Sequence, residues 1–208
     1  MNEFNRVPEY IELKEEGIKS LIFDMDGTLL NSEVLHEKAL IELLGEKSKP
    51  TRELLDLFVG VAEPYVHKTL LTKGIIDAIS FVDFVKLKNE KFVEYLKDED
   101  VFNQVLNPSV IKLIADARAD GLKIALVTAS EKDTTEIFLN SLNLKGIFDL
   151  ILTREDTEKT KPHPMPYLEA FKRLGMTDKE CIIFEDSIIG LQAAKESKAK
   201  FFKVSWYY

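Results

Sequence analysis

The sequence is poor in cysteine and has no long apolar run. Its only cysteine among 208 residues, Cys181, cannot form an internal disulfide and lies in the apolar run CIIF, where a buried core position is expected. No apolar run approaches the roughly 20 residues that span a bilayer. The opening residues MNEFNRVPEY lack the charged-then-apolar pattern of a secretion signal. We therefore expect a soluble cytoplasmic protein with no membrane partner.

Several signatures of ion and nucleotide binding are also missing. No pair of cysteines or histidines stands at the spacing of zinc ligands, and neither a P-loop nor a Gly-x-Gly-x-x-Gly fingerprint occurs. Positive charge is in deficit, because 28 basic and 36 acidic residues give a net charge of −8. A surface this negative repels polyphosphate backbones, so we expect no nucleic-acid partner.

What remains is the composition of an ordinary globular protein. Apolar residues make up 45% and charged residues 31% of the chain, which excludes wholesale disorder. The length suits one large domain, or a core with an inserted second domain. The sequence carries no signal of the oligomeric state, and we expect a monomer.

Five short apolar runs look like strands, and the first four have the apolar character of strands covered on both faces. Helical patterns separate the later runs, and this alternation implies right-handed crossovers and a parallel sheet. We predict an α/β fold: a Rossmann-like parallel sheet core with helices on both faces. The predicted strands are residues 18–24, 122–128, 149–152, 181–185 and 200–204, and the helices among them are residues 109–120, 131–142 and 164–174.

A helical block interrupts this alternation. Residues 33 to about 106 contain no convincing strand, and apolar residues recur there at helical spacing, most clearly over residues 33–44 and 81–96. Residues 1–17 form a charged lead-in with some helical character and no assigned role. The predicted organisation is an α/β core of residues 1–30 and 107–208 with an inserted helical cap domain of residues 31–106.

Acidic residues stand at the ends of the first and fourth predicted strands. Asp24 ends the first strand, Asp26 follows it, and Gly27 permits a tight backbone there. Glu185 and Asp186 stand in the same way at the end of the fourth strand. Ligands bind at these positions in open α/β sheets, although a plain Asp-x-Asp-Gly turn and a helix cap are the structural alternatives.

Hydroxyl and ammonium groups follow the second and third predicted strands, which lie between the two acidic strand ends in sequence. Thr128 and Ser130 come at the end of the second strand, where either could instead cap a helix. Lys161 follows the third strand in TKPHP, and the flanking prolines fix a segment that would otherwise present a solvated surface lysine.

These groups converge on one kind of chemistry. Four carboxylates around one point repel one another unless a cation is present, and oxygen ligands favour Mg²⁺. A lysine and hydroxyls beside that metal predict a phosphoryl-binding site, in which a carboxylate can act as the attacking nucleophile.

Four segments, in order, are FDMDGTLLNSE, VTAS, KPHP and FEDSIIG. They resemble the ordered motifs of the haloacid dehalogenase-like superfamily, most closely its phosphatase and β-phosphoglucomutase-like branch with a helical cap. The resemblance covers about residues 18–204 and is specific, because the four motifs fall in the right order on the right strand ends. It implies Mg²⁺-dependent hydrolysis of a small phosphate monoester, a sugar phosphate or similar phosphorylated metabolite, through an aspartyl-phosphate.

The resemblance implies a role for each acidic residue. Asp24 matches the nucleophile, and Asp26 matches the general acid that protonates the leaving oxygen and then activates water. The Mg²⁺ ligands would be Asp24, the backbone carbonyl of Asp26, and Asp186, with Glu185 as a further or outer contributor. Dehalogenating members lack an acid at the position of Asp26, so we expect no dehalogenation.

Other matches concern the substrate. Thr128 and Lys161 match ligands of the phosphoryl oxygens, and Lys161 would also screen Asp24 from the incoming dianion. Ser130 is a further candidate for substrate contact. In the cap, His36 and Lys88 resemble a histidine and a lysine of β-phosphoglucomutase-like enzymes, although both also fit core residues beside an apolar helix face.

One departure bears on the substrate. Where phosphosugar mutases of this type carry an arginine for a second phosphate, after Gly60, the chain reads Val61-Ala62-Glu63. A carboxylate there would repel a distal phosphate, so we expect hydrolysis of a singly phosphorylated substrate. The two histidines other than His36 are His67 and His163. Both are assigned to the surface.

Two alternatives remain open. One is a phosphosugar mutase of the β-phosphoglucomutase type, which His36 and Lys88 favour. The other is a non-catalytic protein that binds a phosphometabolite or a protein partner. The general acid Asp26 argues against the second alternative, because a pure binding protein needs no such group.

Overall fold

The computed structural model describes residues 2–45, 51–56 and 63–207. The chain divides into two compact units. The first, called the core unit below, comprises Met1–Asn31 and Leu106–Tyr208. The second, called the helical unit, comprises Ser32–Val105.

The core unit contains a six-stranded sheet in which every described strand pair is parallel. Its order is β1-β6-β5-β2-β3-β4. Five strands agree with the sequence prediction, and the sixth, β1, lies in the stretch that was expected to be a charged lead-in. The strands are β1 (Asn2–Phe4), β2 (Ser20–Phe23), β3 (Lys123–Val127), β4 (Leu150–Leu152), β5 (Cys181–Glu185) and β6 (Lys200–Val204).

The edge strand β1 forms because a distant partner receives it. Phe4 pairs in register with Val204 of β6, and its ring lies 4.7 Å from the ring of Phe202. Three residues with one aromatic side chain carry no strand pattern of their own. The tertiary contact therefore supplies the strand that sequence reasoning missed.

Each helix that was predicted from the sequence begins and ends within one residue of its predicted bounds. In α7, Pro108 occupies the first turn and the side chain of Asn107 accepts a hydrogen bond from the Ser109 amide, which is a standard start for a helix. The helices are α1 (Tyr10–Leu13), α2 (Glu33–Leu44), α3 (Arg52–Asp56), α4 (Glu63–Thr72), α5 (Phe81–Tyr95), α6 (Glu99–Val105), α7 (Pro108–Ala119), α8 (Lys132–Ser141), α9 (Met165–Leu174) and α10 (Ile188–Ser197), with 3₁₀ turns at Lys145–Ile147, Arg154–Asp156 and Asp178–Glu180.

Helices cover both faces of the sheet. On one face, α9 and α10 pack against a cluster that includes Ile22, Val127 and Ile183. The side chains of Phe23 and Phe184 point to the opposite face because neighbouring residues alternate along a strand. Both are fully buried, and α7 contacts β3. The predicted Rossmann-like architecture is confirmed.

The helical unit contains α2 to α6 and has its own apolar cluster, which includes Leu40, Leu70 and Phe84. His67 belongs to this interior, so its assignment to the surface was wrong. It is 8% exposed, its Nε2 lies 2.9 Å from the carbonyl oxygen of Ile79, and its ring lies 5.2 Å from that of Phe84. Its position on the apolar face of α4 explains the burial.

His163, in the core unit, is half-buried, and its Nδ1 accepts a hydrogen bond from the Met165 amide at 3.1 Å. It therefore helps to start α9. Within the described ranges, no helix combines the length and the apolar character needed to cross a membrane.

The order of the strands creates a crevice beside β2. The chain passes from β2 to β3 and β4 on one side, and β5 then returns to the other side of β2. In open α/β sheets, such a reversal leaves a crevice at the carboxyl ends of the strands, and ligands bind there.

Candidate active site

β2 carries Asp24 to this crevice. Phe23, the last residue of β2, pairs with Phe184 of β5, and the Asp24 amide donates to the Phe184 carbonyl at 3.0 Å. Asp24 and Glu185, which follow the paired residues, therefore lie side by side. Both are buried, Glu185 completely.

Three of the predicted acidic residues form one cluster. Asp24, Glu185 and Asp186 each offer a carboxylate oxygen, and these oxygens lie within 4.8 Å of one another. Gly27 is required beside them, because its φ is +76° and a Cβ there would lie 2.1 Å from Asp186 Oδ2. The acidic group is a site that could hold a metal ion, and its oxygen donors suit a hard divalent cation.

Lys161 lies inside this acidic group and is itself buried. Its Nζ donates to Asp24 Oδ1 at 2.6 Å, to Glu185 Oε1 at 2.5 Å and to the Val127 carbonyl at 2.8 Å. All three donors of the ammonium group are thereby used. Burial alone would lower the pKa of Lys161, but the charges of Asp24 and Glu185 outweigh it and raise the pKa, so the residue is a fixed positive charge.

Tyr167 completes this network, and sequence reasoning missed it. Its hydroxyl donates to Glu185 Oε1 at 2.5 Å, and Ser187 Oγ donates to Glu185 Oε2 at 3.2 Å. Tyr167 lies in the helix predicted over residues 164–174, and apolar periodicity gives no signal for what a tyrosine hydroxyl contacts. Glu185 thus accepts hydrogen bonds from Lys161, Tyr167 and Ser187. Because its carboxylate is fixed in this way, Glu185 holds the ammonium group of Lys161 in place.

Asp26 is held by a different contact. Ser130 Oγ donates to Asp26 Oδ2 at 2.6 Å, and the Ser130 amide donates to the hydroxyl of buried Thr128 at 3.0 Å. Among the described residues, the grouped carboxylate oxygens belong to the three acids named above and not to Asp26. Ser130 is therefore placed to orient the carboxylate of Asp26, and its contact with substrate stays a prediction.

The acidic cluster is electrostatically strained without a cation. Burial, and then the charge of Glu185, raises the pKa of Asp24 well above its ordinary value, while Lys161 opposes the shift. Burial and Glu185 also raise the pKa of Asp186 to about 7. One ammonium group thus does not compensate three neighbouring carboxylates, and a divalent cation would relieve the remaining repulsion.

The candidate residues of the cap lie together within the helical unit. Lys88 is buried and forms an ion pair with Glu63, and its Nζ lies 2.9 Å from His36 Nδ1. Burial, and then the charge of Lys88, lowers the pKa of His36 well below its ordinary value, so His36 is neutral at physiological pH. Gly60, Val61 and Ala62, which directly precede Glu63 in the chain, lie outside the described residues.

The fold is doubly wound α/β, and at its strand reversal Lys161 bridges an acidic cluster that could hold a metal ion. These features define the class as an α/β enzyme with a potential metal site. Residues 21–204 match the family model described as "Haloacid dehalogenase-like hydrolase". The chain belongs to this family, which confirms the resemblance seen in the motifs.

Named relatives and solved structures agree. The chain is 31% identical over 188 residues to Protein CbbY of Rhodobacter capsulatus, covering 86% of this chain and 81% of that protein. It is 29% identical over 183 residues to the "Phosphorylated carbohydrates phosphatase" of Thermotoga maritima, covering 86% and 82%. The fold matches the crystal structure of CbbY from Rhodobacter sphaeroides in complex with phosphate, with a TM-score of 0.74, 24% identity, and coverage of 91% and 88%.

Proposed function

We propose that the chain is a Mg²⁺-dependent phosphatase that hydrolyses a small phosphate monoester, a sugar phosphate or similar metabolite, through an aspartyl-phosphate on Asp24. The observation that carries this proposal is that Asp24, at the strand reversal, accepts a hydrogen bond from Lys161 and shares one acidic cluster with Asp186. The names of the relatives support the same class, since one acts on phosphorylated carbohydrates and another, in Escherichia coli, is Hexitol phosphatase B.

Asp24 and Asp186 are the residues that would hold Mg²⁺, together with the backbone carbonyl of Asp26. Glu185 already accepts hydrogen bonds from Lys161, Tyr167 and Ser187, which suits an outer role. When bound, Mg²⁺ neutralises phosphoryl oxygens and offsets the negative charge that separates a carboxylate nucleophile from a phosphate dianion.

The protein residues divide the reaction into two steps. A carboxylate oxygen of Asp24 attacks phosphorus, the bond from phosphorus to the ester oxygen breaks, and Asp26 gives its proton to that leaving oxygen. Asp26 then accepts a proton from water, and the water oxygen attacks the phosphorus of the aspartyl-phosphate. Inorganic phosphate leaves, and Asp24 is restored. Thr128 would bind a phosphoryl oxygen in both steps. Lys161 would do the same by exchanging its hydrogen bond to Asp24 Oδ1 for one to a phosphoryl oxygen.

The proposal is tested by phosphate release. With Mg²⁺, the purified protein is expected to release phosphate from a generic aryl phosphate and from one or more members of a panel of sugar monophosphates. Excess chelator should lower the rate at least about tenfold, because the acidic cluster then has no cation, and added Mg²⁺ should restore it. Turnover that continues unchanged in chelator would refute the metal assignment, and no release from any substrate would refute the phosphatase.

The charges of the helical unit favour hydrolysis over mutase activity. A bisphosphate intermediate needs a cation for its distal phosphate. The charge of buried Lys88 is already matched by Glu63, and His36 is neutral, so this cluster offers no net positive charge. We therefore propose a singly phosphorylated substrate and transfer of the phosphoryl group to water.

Glucose phosphates separate the two reactions. Incubation with β-glucose 1-phosphate, Mg²⁺ and a trace of glucose 1,6-bisphosphate is expected to give free phosphate or no reaction, without glucose 6-phosphate. The matched variant Glu63→Gln keeps the side-chain shape but frees Lys88 from its carboxylate, and it should bind glucose 1,6-bisphosphate more tightly than the wild type. Rapid formation of glucose 6-phosphate by the wild type would establish a mutase instead.

A further inference from the structure

Two aromatic side chains that follow β6 contact the backbone of the segment that carries Asp24. Trp206 Nε1 donates to the Thr28 carbonyl at 2.9 Å, and the Tyr207 hydroxyl donates to the Leu29 carbonyl at 2.7 Å. Two consecutive side chains thus hold two consecutive carbonyls, 178 residues away in sequence. Residues 24–30 are called the Asp24 loop below.

These carbonyls need donors from outside the loop. Thr28 and Leu29 are fully buried, and a buried carbonyl without a hydrogen bond is costly. The amides of the loop already serve its own turns: Gly27 donates to the Leu30 carbonyl at 2.7 Å, and Leu30 donates to the Met25 carbonyl at 2.9 Å. Trp206 and Tyr207 therefore supply partners that this turn geometry does not.

The contacted peptides adjoin the acidic cluster. Thr28 Oγ1 donates to Asp186 Oδ1 at 3.2 Å, and Gly27 is pressed so closely against Asp186 that no Cβ fits. A rotation of the peptides at Thr28 and Leu29 would therefore move Asp26 and the threonine hydroxyl relative to Asp186. Displacements of about 1 Å in a catalytic group can change rates by 10²-fold.

Both side chains are themselves fixed to the core unit. The ring of Trp206 lies 6.1 Å from that of Phe184, the residue before Glu185. The Tyr207 hydroxyl also accepts from the Asn107 amide at 3.3 Å, directly after the bridge between Leu30 and Leu106. Burial raises the pKa of Tyr207, so its hydroxyl keeps the proton that it donates.

Resting on the proposed function, we propose that Trp206 and Tyr207 are positioning residues that lock the Asp24 loop in the geometry that binds Mg²⁺ and aligns Asp26. They act through the carbonyls of Thr28 and Leu29.

The test uses Trp206→Phe and Tyr207→Phe, which keep an aromatic ring and each remove one donor. Each variant is expected to lower kcat about five- to tenfold, because one buried carbonyl loses its partner, with a smaller change in KM. The dissociation constant for Mg²⁺, measured by calorimetry, should rise. Hydrogen exchange of the amides of residues 24–30, followed by mass spectrometry, should become faster in the absence of metal.

Tyr10→Phe is the matched control. It removes the hydroxyl that donates to Asp120 Oδ2 at 2.7 Å on the surface of the core unit, and it should leave kcat, Mg²⁺ affinity and loop exchange unchanged. Trp206 is the only tryptophan of the chain, so its fluorescence in Tyr207→Phe gives a second measure of Mg²⁺ binding.

The outcomes separate this inference from the proposed function. Unchanged hydrogen exchange of residues 24–30 in both variants would overturn the positioning role. If the wild type binds Mg²⁺, the same conclusion would follow from variants that bind Mg²⁺ with the affinity of the wild type. A wild type that releases no phosphate would overturn the phosphatase, and loop exchange alone would then decide the positioning role.

Discussion

Replacing Asp24 by asparagine is expected to lower kcat/KM for a sugar monophosphate by at least about 10³-fold, because a neutral amide is not a nucleophile toward phosphorus. The fold should survive. The Asn side-chain oxygen can still accept from Lys161 Nζ, which lies 2.6 Å from Asp24 Oδ1, and the substitution removes one of the mutually repelling carboxylates. We expect a melting temperature close to that of the wild type, measured by circular dichroism beside phosphate release.

Two further variants make this result specific. Asp116→Asn changes a half-buried aspartate that pairs with Lys112 in α7, and it should retain full activity. Asp26→Asn keeps the nucleophile but loses the acid and base, so an activated aryl phosphate should leave a persistent phosphoryl group on the protein, visible by intact-mass spectrometry. Asp24→Asn should never carry that group. If Asp24→Asn hydrolyses substrate at a rate near that of the wild type, the covalent mechanism is wrong.

Lys161→Ala should give the second large effect. Its ammonium group faces the nucleophile and would meet both the bound phosphoryl dianion and its transition state. By analogy with the loss of one preorganised donor, kcat/KM should fall on the order of 10²–10³-fold, or about 2.7–4 kcal/mol. Stability should fall as well, because Asp24 and Glu185 remain buried without their cation, and breaking such a pair costs about 3–5 kcal/mol.

Loss of folding and loss of chemistry can be separated. Phosphate release is measured at a temperature where circular dichroism shows each variant to be folded. Tyr167→Phe removes a different donor to Glu185 but keeps the lysine charge, so it should lose stability with a much smaller loss of activity. Lys172→Ala, at a lysine whose side chain is 79% exposed, should change neither. Equal losses of activity in Lys161→Ala and Tyr167→Phe would show that Lys161 acts only by supporting the packing.

Local patterns in the sequence were sufficient to predict the frame of the site. The strand before Asp24 and the strand that ends in Glu185 were both predicted, because residues buried on both faces of a parallel strand form a continuous apolar run that stops where the chain leaves the sheet. The helix Glu33–Leu44 was predicted with the ends that it has. Parallel strands bring their carboxyl ends to one edge of the sheet, so the acidic residues at those ends could be assigned to one site from the sequence alone.

Only the tertiary structure decided which groups meet. Some of these contacts join groups that are far apart in the chain: β1 pairs with β6, and Lys88 pairs with Glu63. Others involve residues whose pattern is that of ordinary core residues: the Tyr167 hydroxyl contacts Glu185, and His67 is buried. The contacts from Trp206 and Tyr207 to the Asp24 loop are of the same kind. Periodicity records which face of an element is buried, whereas the partner of a polar atom depends on where the other elements pack, and that is a property of the folded chain alone.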